Sequence, residues 1–388
     1  MTTATIARNA DLEDLAKLLQ DQQARKVDMV APAKMLHMQD GVLHAQNRRT
    51  EIALEGVTSH DAEYTPTSIF DEGLAGKLGI PVKYLRRMRN EHVELYDANV
   101  NGWLQRDSNS YMVRAFEDSD GKGLARAFLS DSFKAIDHLD GLTATLSGIR
   151  DAGLSMDEIS FEGCDLSERR MTVKIRSSKI AALAPKLLEH YRSPLGNIER
   201  VREVARREGQ AYDPGTEPVV FAGLILSNSE TGGGAFSITP RIVVQACMNG
   251  LMMGEDAFRS VHVGGKVEAG VVDWSHDTHL KGLELARAKT RDAVTQFLSP
   301  GYLVKAITRL EEQSDKPVDD APKAIETVTK QLGFSDEHRA GLLNHFIRGG
   351  QTTAGGVMQA MTSYSQTLEN PDVAHQFEVN AVKAMSLV

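Results

Sequence analysis

Residues 169–176 (RRMTVKIR) alternate charged or hydroxylated with apolar side chains at a period of two. On an extended strand Met171, Val173 and Ile175 fall on one side, and Arg170, Thr172, Lys174 and Arg176 on the other. The first side suits a core; the second presents a basic face that suits a polyanion. A nucleic-acid backbone needs cations and no base-reading geometry, so phosphate contact is the chemistry this pattern points to. Residues 111–116 (YMVRAF) and 124–129 (LARAFL) read as two further strands around a polar turn holding Gly121 and Gly123. In simple register Phe116 faces Leu124, Arg114 faces Arg126 and Met112 faces Phe128. Two opposed arginines repel, so the pairing calls for a carboxylate such as Asp131, a bound anion, or a different register.

A third group of cations lies on a helix pair. Residues 72–91 (EGLAGKLGIPVKYLRRMRNE) place Leu74, Leu78, Ile80, Leu85 and Met88 on an inner seam, with Gly79 ending one helix and Pro81 opening the next. The second helix carries Lys83, Arg86, Arg87 and Arg89. This is a helix-turn-helix pattern with the right sign for phosphate, and equally the pattern of a packed pair with a solvated basic face. Residues 197–208 (NIERVREVARRE) read as another basic helix, with Arg200, Arg202, Arg206 and Arg207. From 169 to 207 eleven cations stand against three carboxylates, in a chain whose net charge is −9.

The loop SNSETGGG (227–234) joins an apolar strand, 219–226, to the alternating segment 235–239. A phosphate cradle opens into a helix and is followed by a Lys-Ser/Thr pair; neither is present, so Gly232, Gly233 and Gly234 read as a turn requiring positive φ. Asn228 and Glu230 are the loop's candidate ligand contacts, or else its own Asx-turn chemistry. Thr239 and Pro240 then read as the N-cap and first residue of a helix ending at Gly250.

No G-x-S-x-G elbow, H-E-x-x-H zinc helix or C-x-x-C pair occurs. The one metal-like grouping is His262, Asp273, His276, Asp277 and His279, which sits at a helix start where Asp and His are ordinary capping residues. No metal and no cofactor is assigned. Cys164 and Cys247 are too few for a disulfide framework and fit a reducing cytoplasm. No stretch reaches the ~20 apolar residues of a membrane span, and the N-terminus lacks the apolar core of a secretion signal.

The elements that must position these residues fit an α+β fold: a central, antiparallel, hairpin-rich sheet with packed helices and helical terminal regions. Residues 1–107 read as an N-terminal helical region, beginning with an amphipathic helix over 9–26. Residues 108–298 read as the α+β core, with a helix capped by Asp137 and another over 277–298. Residues 299–388 read as a C-terminal helical region entered through the acidic connector 311–322.

Residues 124–142 (LARAFLSDSFKAIDHLDGL), 223–238 (GLILSNSETGGGAFSI), 245–252 (QACMNGLM) and 355–366 (GGVMQAMTSYSQ) together resemble the phage- and plasmid-encoded domain of unknown function 932. The order and spacing match from about residue 70 to the end. The resemblance implies a mobile-element protein, often encoded near replication and recombination genes. The stretch SDSFKAID after a basic hairpin is also similar to the β-β-α core of the RecT and Redβ annealing proteins, which hold single strands in a basic groove on an oligomer. The aromatic content of 6% departs from the stacking platforms of many single-strand binders.

These readings converge on a homo-oligomeric protein that binds single-stranded DNA for annealing or recombination and needs no catalytic residue. Arg170, Lys174 and Arg176 are the expected strand contacts, supported by Arg114, Arg126, Lys83, Arg86 and Arg87. The alternatives are a structural or interaction protein assembling with itself or a host factor, and a metal-dependent hydrolase built on the 262–279 grouping.

Overall fold

A computed structural model describes residues 5–53, 56–118, 122–133, 136–184, 186–187, 190–195, 219–244, 249–260 and 276–388. The fold is α+β, with two antiparallel-rich sheets and, among the described residues, eleven α-helices. The basic helix read over 197–208, His262 and Asp273 of the metal-like grouping, and Cys247 lie outside the described residues, while His276, Asp277 and His279 fall in the first turn of a helix, His276–Phe297.

Sheet A has seven strands: β1 (Thr5–Ala10), β8 (Ile159–Ser167), β9 (Met171–Leu183), β10 (Val219–Asn228), β11 (Phe236–Val244), and then β12 (Asn249–Met252) and β13 (Phe258–Ser260), both paired with β11. Sheet B has six strands. β2 (Lys26–Pro32), β6 (Ser110–Glu117) and β7 (Lys122–Ser130) lead to β5 (Gly56–Pro66), β4 (Val42–Ala53) and β3 (Leu36–Gln39) in that spatial order. Among the described strands only β5 and β7 pair in parallel.

The N-terminal region therefore differs from the helical expectation. Four strands of sheet B lie between residues 26 and 66, and β6 and β7 complete the same sheet, so an expected boundary at 107/108 cuts through one core. Leu36, Met38, Leu43, Ala45, Ala62 and Tyr64 are buried, whereas their neighbours His37, His44 and Glu63 are only partly so. A sheet wet on one face needs apolar side chains at alternate positions only, which dilutes its signal.

Helix α1 (Leu12–Arg25) buries Leu15 and Leu19, and Asp11 caps it by accepting from the Asp14 N–H at 2.7 Å. Helices α2 (Ser68–Leu78), α3 (Val82–Glu91) and α4 (Val93–Leu104) cover sheet B; Thr67 caps α2, and Gly79 ends it at φ 70°. Helix α5 (His138–Asp151) approaches one face of sheet A, with Gly141 against the Phe236 ring. Along the C-terminal side run α6 (His276–Phe297), α7 (Pro300–Ser314), α8 (Ala321–Gln331), α9 (Asp336–Gly349), α10 (Ala354–Ser365) and α11 (Pro371–Met385). Helix α11 lies over the opposite face of sheet A, where its Glu378 meets Lys174.

Residues 239–244 are strand, not helix. Ile242, Val243 and Val244 pair with Ala222, Phe221 and Val220 of β10, and β-branched residues fit a pleated surface better than a helix. Pro240 is accommodated because β12 pairs from Arg241 onward and β13 only as far as Ile238. It falls in the gap between them, so its missing N–H breaks no bond on that edge.

Candidate functional site

The three expected strand contacts are where the sequence puts them in register, but not where it puts them in exposure. Sheet A is covered on both faces. Lys174 is 8% exposed and Arg176 1%. Lys174 donates to Glu378 at 2.8 Å and lies 3.7 Å from Asp165, which also receives Arg8 at 2.6 Å. Arg176 donates to Glu162 at 2.9 Å, stacks 4.6 Å over the Phe221 ring, and shares that carboxylate with Arg241. Arg170 donates to the Gly233 carbonyl at 2.9 Å and contacts Ser227 and His375. The expected exposed basic sheet face is thus an internal charge network. A buried cation left unpaired costs several kcal/mol, so Lys174 and Arg176 are held by their carboxylates and are closed to a polyanion, while the half-buried Arg170 is engaged by the Gly233 carbonyl, Ser227 and His375.

The hairpin arginines form a second network. Phe116 does face Leu124, but a bulge between Arg114 and Ala115 sets Arg114 opposite Ala127, so the two arginines never oppose each other. Arg114 is fully buried. Its guanidinium forks onto Asp28 at 2.8 and 3.0 Å, donates to Asp137 at 2.6 Å, and reaches the Glu230 carbonyl at 3.1 Å. Arg126 donates to the Glu230 carboxylate at 2.9 Å and lies 4.0 Å over the Phe116 ring. The compensating acids are Asp28, Asp137 and Glu230 in place of Asp131.

The glycine loop completes this second network. Glu230 accepts from Arg126 with one oxygen and from the backbone N–H of His138, the first residue of α5, with the other. Asp137, in the N-cap position, makes no capping bond because Arg114 and Lys26 hold it. Glu230 therefore serves as the anion at the α5 N-terminus, where the helix dipole favours it. Burial alone would raise the Glu230 carboxyl, but His138, Arg126 and Arg114 hold it well below the usual range. Asn228 donates to the Ile136 carbonyl at 2.8 Å and to His138. Of the three glycines only Gly232 has positive φ, 84°. Gly233 and Gly234 instead admit the Arg169 and Arg170 side chains. The loop is a bolt between the sheets, with almost no open volume around Glu230.

A second tie runs beside it. Arg169 in the β8–β9 turn donates to Glu72 of α2 at 2.6 Å, and Ser68 donates to Glu168.

On α3 the cations divide. Arg86 donates to Glu72 and the Ser68 carbonyl, and Arg89 to Asp71 and the Pro66 carbonyl. Asp71 is fully buried, and burial pushes its carboxyl up to about 6 despite Arg89 and Arg86. Lys83 and Arg87 face solvent one turn apart, with Tyr84, 48% exposed, beside them. Arg87 pairs only with Glu91 on its own helix. Helix α4 adds exposed Leu95 and Trp103, and Arg106 in the turn after it is exposed as well.

The concave features beside the C-terminal helices were not signalled by any motif. A cleft of about 500 Å³ lies among α6, α7 and the turn at Gly254–Asp256, and a second of about 630 Å³ continues from it toward α11. Their lining residues run from Met252 to Ser386 and are mostly ordinary surface types, so spacing could not single them out. No group of three metal-ligating side chains suited to an ion occurs among the described residues. No helix there is long and apolar enough to cross a membrane.

No protein family, curated protein or solved structure matches this chain.

Proposed function

We propose that the protein binds single-stranded DNA without catalysis, through the outer face of α3 and α4, and that several copies act together on one strand. The observation that carries this reading is the patch Lys83–Tyr84–Arg87. Both cations are exposed on one turn, next to an exposed aromatic ring, while Arg86 and Arg89 anchor the same helix from behind. A sequence-tolerant single-strand site combines cations for the backbone with aromatic faces for the bases. Tyr84 and, on α4, Trp103 supply such faces. The Arg87–Glu91 pair is a surface i,i+4 contact worth a few tenths of a kcal/mol, so phosphate competes with it readily.

Two phosphate contacts per copy bind weakly, and the chain's net charge of −9 opposes approach of DNA elsewhere. Cooperation between copies on one strand raises the effective affinity by mass action, which is why the reading includes an oligomer. Fluorescence anisotropy of labelled oligonucleotides of increasing length at low salt tests it. Binding that strengthens with strand length supports the reading; no binding at low salt removes it and leaves a protein that assembles only with other proteins.

A further inference from the structure

We propose that the cleft among α6, α7 and the Gly254–Asp256 turn is a small-molecule site for an aromatic organic anion of nucleoside-monophosphate size. It is separate from the α3 patch and goes beyond the DNA-binding reading. Its volume of about 500 Å³ lies within the range typical of ligand pockets. Beyond Arg309 the second cavity, about 630 Å³, gives the ligand room to extend toward α11.

The floor is apolar. Ala293 and Phe297 come from α6, Ala306 from α7, and all three are buried. Phe297 and Tyr302 form an aromatic corner, ring centroids 5.5 Å apart at 53°, against which a flat ring can pack edge or face. The rim is cationic: Lys289 on α6 and Lys305 on α7 both line the cleft and are exposed.

One wall is preorganised. Asp256 accepts from Tyr302 at 2.6 Å and from Arg309 at 2.5 Å. The Arg309 hydrogen bond, with that of Tyr302, keeps the Asp256 carboxyl below its usual range, so it stays ionised and holds both partners in place. The lining of the cleft carries three cations, Lys289, Lys305 and Arg309, against two carboxylates, Asp256 and Asp292. An anionic group at Lys289 and Lys305 with its apolar body in the aromatic corner satisfies both halves of the site.

Isothermal titration of the full chain with AMP, adenosine and inorganic phosphate tests the assignment. AMP is expected to bind saturably, adenosine and phosphate each at least about tenfold more weakly, because each supplies only half the contacts. The Lys289→Ala/Lys305→Ala variant is expected to lose about tenfold or more in AMP affinity. Both lysines are exposed, so an unchanged melting curve shows that the fold survives. AMP binding that persists undiminished in that variant, equal binding of adenosine and AMP, or no saturable AMP heat at millimolar concentration overturns the proposal. Lys83→Ala/Arg87→Ala is expected to leave AMP binding intact, which separates this site from the DNA-binding reading.

Discussion

Glu230 of the glycine loop and Arg126 of the β6–β7 hairpin meet at 2.9 Å across the junction of the two sheets, and both are buried. The same carboxylate terminates α5 through the His138 N–H. One side chain thus joins a loop of sheet A, a strand of sheet B and a helix. Glu230→Gln removes the charge that matches Arg126 and is expected to cost about 3–5 kcal/mol, since an unpaired buried cation remains. Chemical denaturation followed by far-UV circular dichroism reads the loss; a change below about 1 kcal/mol contradicts this role.

The Lys174–Glu378 pair, at 2.8 Å, ties sheet A to α11. Lys174→Met alone is expected to destabilise by about 3–5 kcal/mol, and Lys174→Met/Glu378→Met to recover most of that loss, because the pair then leaves together. A double-mutant cycle on denaturation midpoints measures the coupling.

Glycine positions separate by backbone. Gly232 sits at φ 84°, and an added Cβ meets Leu129 at 2.8 Å. Gly232→Ala is expected to destabilise by at least about 1 kcal/mol. Gly76 lies inside α2 with open space where a Cβ would stand, so Gly76→Ala is expected to stabilise by about 0.5–1 kcal/mol. Thermal melts of the two variants should move in opposite directions.

Acid sensitivity follows from two buried histidines. Burial pushes His138 down to about 4 and, with the Arg170 charge, His375 down to about 3. Folded protein keeps both neutral at pH 5, whereas the unfolded chain protonates them below about 6.5. The unfolded state then binds more protons, so stability falls as pH drops from 8 to 5, by about 2 kcal/mol per histidine. Asp71, raised to about 6 by burial, takes up its proton in the folded state first and offsets about 1 kcal/mol of this. His375→Gln is expected to reduce the pH dependence by about 2 kcal/mol, read from denaturation midpoints at pH 8 and 5.

The fold class was legible because local signals agreed. Amphipathic patterning marked α1, Gly79 and Pro81 separated α2 from α3, and the loop residues joined β10 to β11. The exposure of the basic strand was not legible. Alternation in β9 resembles a strand wet on one face, and only the carboxylates Asp165, Glu162 and Glu378 reveal that Lys174 and Arg176 are buried. Glu378 lies 204 residues from Lys174, so no local pattern connects them. The segment 239–250 misled for a different reason: Thr239 and Pro240 imitate a helix start, and the gap between β12 and β13 that tolerates Pro240 is a tertiary feature.

The internal cations hold the fold, and Lys83 and Arg87 are the contacts proposed for DNA. The most direct measurement is the salt dependence of single-strand binding, by anisotropy, for the unaltered protein and for Lys83→Ala/Arg87→Ala. Two contacts per copy predict a log-log slope near −1.4 for a single copy, and loss of binding in the variant with an unchanged melting curve. Equal affinity and equal slope in the two proteins would contradict the account.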